Sequence, residues 1–211
     1  MMRVSLSDLV TGATSGEHVI SFPTDTVPAL AVRPDRSNLI FEAKQRSLTK
    51  PLILMGACAA DLWAYVQGSS AEQHIWNQVA DRYWPGALTL VLPASDRLPK
   101  AINPTDSTTI GVRVPDCAIA CHVLAQTGPL ATTSANRSGQ PPLIDFDKIN
   151  EQFPEVLMLT DDELARLSAS LGQESRDESL QQPNSGVPST VAKWMGDRWQ
   201  ILRQGQIHLS D

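Results

Sequence analysis

The chain has 211 residues, of which 42% are hydrophobic and 19% are charged, and its formal net charge is −6. This length favours one domain spanning residues 1–211, and the composition excludes a disordered or fibrous chain. The acidic balance argues against non-specific nucleic-acid binding, because that requires a surplus of cationic side chains. Three cysteines, an odd and low count, and the lack of an apolar run of about 20 residues predict a cytoplasmic protein without a membrane segment.

Strands and helices alternate among the predicted elements in the first half of the chain. Short apolar segments predict strands at residues 18–23, 30–32 and 51–55. Amphipathic segments predict helices at residues 37–46, 58–66 and 71–83. Ser37 is placed to cap the first of these helices, and the last one ends before the turn signal Trp84-Pro85-Gly86.

The second half continues this pattern and then closes on a hairpin. Further strands are predicted at residues 88–92, 110–114, 130–133 and 156–159. Asp116 is placed to cap a helix that runs to about Gln126, and the Ser-, Gln-, Glu- and Asp-rich residues 168–185 predict a flexible surface loop. Residues 189–194 and 199–203 predict the hairpin. Together these elements indicate an α/β fold, a single domain with a twisted, mixed parallel/antiparallel sheet flanked by helices.

Several familiar catalytic signatures are absent from the sequence. It contains no Walker-type phosphate loop, no Gly-x-Gly-x-x-Gly motif and no Gly-x-Ser-x-Gly nucleophile elbow. Cys117, Cys121 and His122 form the one metal-like cluster, but they fall on a single predicted helix with no second ligand pair. Because structural zinc requires four ligands in a tetrahedral arrangement, we expect no protein-bound metal.

Hydroxyl, amide and cationic side chains cluster where the predicted strands begin or end. The clusters are residues 23–26, 44–50, Arg113, 132–139, and Ser189-Thr190 with Arg203. Loops at strand ends are the usual place for ligands in open α/β sheets, and Lys and Arg supply the counter-charge for phosphate or carboxylate. The cations of residues 44–50 could equally form a solvated helix end. Arg113 lies between two valines and therefore requires a buried partner or a polar cavity.

Taken together, these segments resemble the YrdC/Sua5 family, whose members are also called TsaC. Seven segments match in the family's order: residues 22–27 (FPTDTV), 44–46 with 50–52 (KQR and KPL), 84–89 (WPGALT), 111–115 (GVRVP), 134–139 (SANRSG), 188–191 (PSTV) and 202–205 (LRQG). The matches cover nearly the whole chain, and its length resembles the short, single-domain branch of the family. Met55 departs from the pattern, since many members carry a histidine near that position that contacts threonine.

The resemblance implies a threonylcarbamoyl-AMP synthase, a nucleotidyltransferase. Such an enzyme forms threonylcarbamoyl-adenylate from L-threonine, bicarbonate or CO₂ and ATP, with release of pyrophosphate, and a t6A transferase complex then modifies tRNA with it. We expect Mg²⁺ to arrive with the ATP. The resemblance assigns catalysis to Lys44, Arg46, Ser134 and Asn136. It assigns ATP binding to Arg46, Lys50, Thr109, Asn136 and Arg203, and threonine binding to Thr24, Arg113, Ser134 and Ser189.

Two other functions are compatible with the same resemblance. An RNA-binding or ribosome-maturation module without its own catalysis would require a basic concave surface, and the net charge of −6 allows at most a weak RNA contact. Carbamoyl transfer from carbamoyl phosphate occurs in the related domain of hydrogenase-maturation proteins. The acylphosphatase-like and zinc-finger segments that accompany that domain are missing from this sequence, so the synthase is the favoured hypothesis.

Overall fold

A computed structural model of the protein describes residues 2–45, 47–172 and 185–209. Within these ranges the chain forms one sheet of ten strands, flanked by seven α-helices. The strands are β1 (Arg3–Val4), β2 (Ile20–Phe22), β3 (Ala29–Val32), β4 (Ile53–Met55), β5 (Leu88–Pro93), β6 (Thr109–Arg113), β7 (Leu130–Ser134), β8 (Leu157–Leu159), β9 (Thr190–Trp194) and β10 (Trp199–Arg203). The helices are α1 (Leu6–Ser15), α2 (Asn38–Lys44), α3 (Ala59–Trp63), α4 (Ser70–Tyr83), α5 (Ala118–Thr127), α6 (Phe146–Gln152) and α7 (Asp161–Ser170).

The strand order of the sheet is β1-β8-β2-β3-β7-β4-β6-β5-β9-β10. The sheet contains both parallel pairs, such as β4 with β6 and β5 with β9, and antiparallel pairs, such as β3 with β7 and β5 with β6. The prediction of a mixed α/β sheet is therefore confirmed, and so is the closing hairpin, which is formed by β9 and β10. None of the helices in the described ranges is long and apolar enough to cross a membrane.

The sheet is covered by a different hydrophobic cluster on each face. Leu30 and Val32 of β3 pack with α2 and α4 in one cluster, whereas Ala29 and Ala31 pack with α1 and α5 in the other. This division follows from the strand repeat, since successive side chains point to opposite faces. The same rule places the polar members of β5 and β6 on the face of α1 and α5. Helix α1 packs against β2 and β8, at the far side of the sheet, and α5 packs against α1, which leaves the part of the face at β5 and β6 available for a cavity.

Local capping differs from the sequence predictions at two helices. Ser37 occupies the N-cap position of α2, but its hydroxyl donates to Pro34 O at 2.7 Å and makes no capping bond. The reason is its helical backbone (φ −57°, ψ −22°), which directs the side chain towards the preceding 3-10 turn. Helix α5 begins after Cys117, so the prediction that Asp116 caps it was wrong by one residue.

The predicted surface loop at 168–185 begins later than expected. Helix α7, which the sequence analysis missed together with α1 and α6, continues to Ser170 and is capped by Thr160, whose hydroxyl accepts from Glu163 N at 3.2 Å. Three acidic residues in its first turn favour the helix through the helix dipole. Residues 173–184 of the predicted loop lie outside the described residues.

Candidate functional site

A cavity of about 610 Å³ lies on the polar part of the sheet face described above. Its floor is formed mainly by alternate residues of neighbouring strands: Ile53 and Met55, Thr89 and Val91, Thr109, Gly111 and Arg113, and Val191 and Lys193, together with Thr132, Thr133 and Ser134 at the end of β7. The spacing of two follows from the pleat of the strands. The walls come from the loops at residues 24–27, 49–52 and 103–106. This is the arrangement that the clustering of polar residues at strand ends predicted.

All four residues assigned to threonine binding, namely Thr24, Arg113, Ser134 and Ser189, line this cavity. Arg113 is buried at the end of β6 and donates from Nη2 to Asp25 Oδ1 at 2.6 Å and from Nη1 to Thr26 Oγ1 at 2.9 Å. Its Nε donates to Gly86 O at 3.0 Å. Burial lowers the pKa of the Arg113 guanidinium and the adjacent Asp25 opposes that effect; an arginine nevertheless stays charged in proteins. The expectation that Arg113 has a buried partner is confirmed.

The turn that contains Asp25 is held by its own hydroxyl groups. Thr24 Oγ1 donates to Val27 O at 2.7 Å and accepts from Thr26 N at 3.2 Å, which is the hydrogen bonding of a Ser/Thr turn. The chain that leads to β9 is tied to the same turn, because the backbone N–H groups of residues 185 and 186 donate to Asp25 O and Thr26 O. The two cavity walls that carry Thr24 and Ser189 are thereby joined.

Arg203 reaches the cavity through an irregularity in β10. The register between β9 and β10 shifts between Ile201 and Arg203, leaving Leu202 as an extra residue. A bulge of this kind lets two consecutive side chains face the same side, and both Leu202 and Arg203 line the cavity. Arg203 Nε and Nη2 donate to Ser189 O at 2.9 Å and to Ser189 Oγ at 3.1 Å. Burial lowers the pKa of the Arg203 guanidinium.

The predicted catalytic residues form a cluster at the edge of the cavity. Lys44, the last residue of α2, is 1% exposed and its Nζ donates to Ser134 O, to Asn136 Oδ1 at 3.4 Å and to Thr133 Oγ1 at 3.5 Å. Ser134 Oγ donates to Asn136 Oδ1 at 2.5 Å. Ser134 lines the cavity, whereas Lys44 and Asn136 lie behind it. The interpretation of Lys44 as part of a solvated helix end is therefore wrong. Arg46, the fourth residue of the set, lies outside the described residues.

The residues predicted to bind ATP divide in a similar way. Lys50, Thr109 and Arg203 line the cavity, and Asn136 is in the cluster behind Ser134. Lys50 Nζ donates to Ser138 Oγ at 3.3 Å, so the loop after α2 is linked to the loop after β7. These contacts bring the side chains of several distant sequence segments to one cavity of mixed cationic and hydroxyl character.

Some residues that line the cavity or contact its lining were missed by the sequence analysis. Asp25 was quoted within a motif but received no role, although it is the ion-pair partner of Arg113. Lys193 could have been found from the repeat of two in β9, which places it on the same face as Val191. Asn103 and Asp106 carry no signal in the sequence, because they precede β6 in an irregular loop.

The cysteine cluster of the sequence has a packing role. Cys117 is buried at the start of α5, and its thiol donates to Pro23 O at 3.5 Å. Burial raises the pKa of Cys117 to about 11, which makes its thiolate scarce at neutral pH. Among the residues that the structure describes, no group of three or more His, Cys, Asp or Glu side chains is arranged to hold a metal ion.

Comparisons with known proteins agree on one family. The family model described as telomere recombination, which covers Sua5, YciO and YrdC, matches residues 13–170. The threonylcarbamoyl-AMP synthase of Vibrio campbellii is 35% identical over 144 residues, which are 66% of this chain and 77% of that protein. The threonylcarbamoyl-AMP synthase of Mus musculus is 32% identical over 165 residues, 76% of this chain and 55% of that protein.

Solved structures share the fold. P. abyssi Sua5 complexed with L-threonine superimposes with a TM-score of 0.76 at 27% identity, covering 96% of this chain and 55% of that one. E. coli YciO gives a TM-score of 0.72 at 21% identity, covering 95% of this chain and 89% of that one. The chain thus spans about half the length of the mouse and P. abyssi proteins and most of the length of the two bacterial ones.

Proposed function

The chain belongs to the Sua5/YciO/YrdC family, and on that premise we propose that it is an L-threonylcarbamoyladenylate synthase. It joins L-threonine, bicarbonate or CO₂ and the AMP part of ATP into threonylcarbamoyl-adenylate and releases pyrophosphate. The product serves a t6A transferase complex that modifies tRNA. The observation that carries this proposal is the single cavity that Thr24, Arg113, Ser189, Lys50 and Arg203 line together.

The reaction requires little acid–base chemistry from the protein. The threonine amine combines with CO₂ and loses a proton, which gives a carbamate anion; starting from bicarbonate, the same carbamate forms with loss of water instead of a proton. A carbamate oxygen then attacks the α-phosphorus of ATP, the bond to the β-phosphate oxygen breaks, and pyrophosphate leaves. The carbamate is already an anionic nucleophile, so a histidine base is unnecessary. The main tasks are to align two anions that repel each other and to neutralise the leaving group.

Arg113 is suited to the carboxylate of threonine. A guanidinium has five N–H donors, and three of them are accepted by Asp25, Thr26 and Gly86 within the described residues. Two donors therefore remain for a substrate carboxylate. The ion pair with Asp25 fixes the guanidinium plane, so its orientation is set before the substrate arrives.

The phosphates are assigned to the cationic side chains around the cavity. Lys50 and Arg203 line it from different walls, and Arg46 follows the cluster around Lys44 in sequence. Lys44 places its positive charge directly behind Ser134, where a buried charge acts strongly on a reacting phosphate because water does not screen it. Ser134 and Asn136 orient the carbamate or the α-phosphate by hydrogen bonds.

Magnesium is assigned to the nucleotide. Mg²⁺ commonly binds to substrate phosphates together with one or two carboxylates and several waters. Asp106 is the one carboxylate among the described cavity-lining residues, so a dedicated protein site does not fit these residues. The ion supplies charge neutralisation of the triphosphate when bound, and the assigned residues above act on the same phosphates.

The decisive experiment is mass spectrometry of the purified protein with ATP, threonine and bicarbonate. We expect a labile threonine–carbonyl–AMP adduct that disappears when any one ingredient is omitted. Replacing threonine and bicarbonate by carbamoyl phosphate tests carbamoyl transfer, and salt-dependent RNA binding without ATP turnover would support the RNA-binding alternative. Failure to form the adduct when ATP, threonine and bicarbonate are all present contradicts the proposal.

Substitution of Arg46 tests the residue assignment. Arg46→Ala is expected to abolish nearly all adduct formation while the circular dichroism spectrum stays unchanged. Arg198→Ala, which removes an exposed arginine at the tip of the β9–β10 hairpin, is the matched control and keeps full activity. Near-normal turnover by folded Arg46→Ala would refute the assignment.

A further inference from the structure

The cavity has two chemically different ends. Arg113 is the last residue of β6. Asp106 lies three residues before Thr109, which is the first residue of the same strand. At about 3.3 Å per residue, the four steps from Thr109 to Arg113 span about 13 Å. Arg203 is near the Arg113 end, since its charge contributes to the lowering of the Arg113 pKa. Arg113 and Arg203 are therefore separated along β6 from the Asp106 carboxylate.

Asp106 is out of place in a cavity for anionic substrates. It is the one carboxylate among the described residues that line the cavity, and it repels both a triphosphate and a threonine carboxylate. A carboxylate in this position suits an uncharged part of the ligand that carries hydrogen-bond donors. In the proposed substrate pair, the ribose hydroxyl groups of the nucleotide have that character.

The contacts around Asp106 keep its side chain ionised and leave one carboxylate oxygen able to accept a hydrogen bond. Thr108 donates to Asp106 Oδ1 twice, from its backbone N at 3.0 Å and from Oγ1 at 2.6 Å. These bonds, and the charge of Lys193 in addition, lower the pKa of the Asp106 carboxyl, so it is ionised at neutral pH. Oδ2 accepts no hydrogen bond from any residue that the structure describes. An ionised carboxylate only accepts, so Oδ2 is available for a hydroxyl donor.

We propose that Asp106 is a specificity-determining residue that accepts a hydrogen bond from a ribose hydroxyl and selects ribonucleotides over deoxyribonucleotides. Carboxylates perform the same task in dinucleotide-binding folds, where an acidic residue accepts from the ribose 2′-hydroxyl. Lys193, which lines the cavity from β9, balances the charge of Asp106 while the cavity is empty. This inference rests on the proposed function, because it assumes that the ligand is ATP.

The test compares ATP with 2′-deoxyATP and 3′-deoxyATP by equilibrium binding and by adduct formation. The wild-type protein is expected to bind ATP at least about tenfold more tightly than one of the two analogues. Loss of a hydrogen bond to a charged group changes a dissociation constant by about this factor. Asp106→Ala is expected to weaken ATP binding to the level of that analogue, which brings their ratio to about 1. Asp106→Asn keeps an acceptor oxygen and is expected to lie in between.

Asp81→Asn is the matched control, because it removes an exposed carboxylate from α4 outside the cavity and is expected to behave as wild type. The proposal is overturned if wild type does not discriminate, if Asp106→Ala loses ATP and analogue affinity equally, or if it raises the Mg²⁺ requirement with an unchanged ratio. If Asp106→Ala fails to fold, the ratio of ATP to analogue affinity is measured with Asp106→Asn instead. The binding ratios do not require turnover, so a missing adduct refutes the proposed function without deciding this inference.

Discussion

Removing one side of the ion pair between Asp25 and Arg113 should destabilise the protein strongly. The pair is 2.6 Å long, and the two side chains are only 13% and 4% exposed. Loss of one partner of a buried pair leaves an uncompensated charge and typically costs about 3–5 kcal/mol. In Asp25→Ala, Arg113 would keep the acceptors Thr26 and Gly86, so we expect a cost near the lower limit, about 3 kcal/mol. For a chain of this size this lowers Tm by about 6–12 °C.

Thermal and urea unfolding, followed by circular dichroism, measure this loss. Asp197→Ala removes one partner of an exposed Arg–Asp pair, and an unfolding free energy within about 0.5 kcal/mol of wild type is expected for that control. The double variant Asp25→Leu/Arg113→Met removes both charges and should recover most of the stability without recovering adduct formation. A Tm change of less than about 2 °C in Asp25→Ala would refute the reasoning, because the pair would then behave as a surface pair.

Three further predictions test the close packing around the site. Gly205→Ala is expected to lower both stability and adduct formation, since a Cβ there would lie 2.5 Å from Thr190 N and 2.7 Å from Ser189 C; activity equal to wild type would contradict this. Gly111→Val should raise the KM for ATP and lower Tm, because the glycine forms part of the cavity floor and a Cβ there would lie 2.8 Å from Ile53 Cγ2; an unchanged KM would contradict this. Iodoacetamide at neutral pH should label Cys58, which is exposed, and spare Cys117 until unfolding, as mass spectrometry of tryptic peptides can show.

The strands and the motif order were accessible from the sequence because they depend on local patterns. Apolar runs bounded by Pro and Gly predicted β5, β6 and β7 to within about two residues, since the repeat of two reflects the pleat itself. The helices α1, α6 and α7 were missed. They are short, with ten, seven and ten residues, whereas α4 has fourteen residues and a Ser69–Glu72 capping box.

Some features of the site could also be predicted from residues that are close together in the sequence. Arg113 was expected to have a partner because charge in an apolar strand is costly, and that argument requires no knowledge of the fold. The identity of that partner could not be predicted in the same way, because Asp25 is 88 residues away in the chain. Lys44 likewise could be interpreted as solvated or as functional, and only packing beneath β7 decides that it is buried.

The order of the amino acids determined the strand pattern, the α/β class and the family motifs, since each depends on residues that are close together in the chain. The tertiary structure decided which of these motifs share a cavity, that a bulge turns Arg203 towards it, and that Asp106 lies at the opposite end of β6 from Arg113. The physical reason is that chain separation carries little information about which strands become neighbours in a mixed sheet. A pairing such as β5 with β9 forms only when the whole sheet assembles.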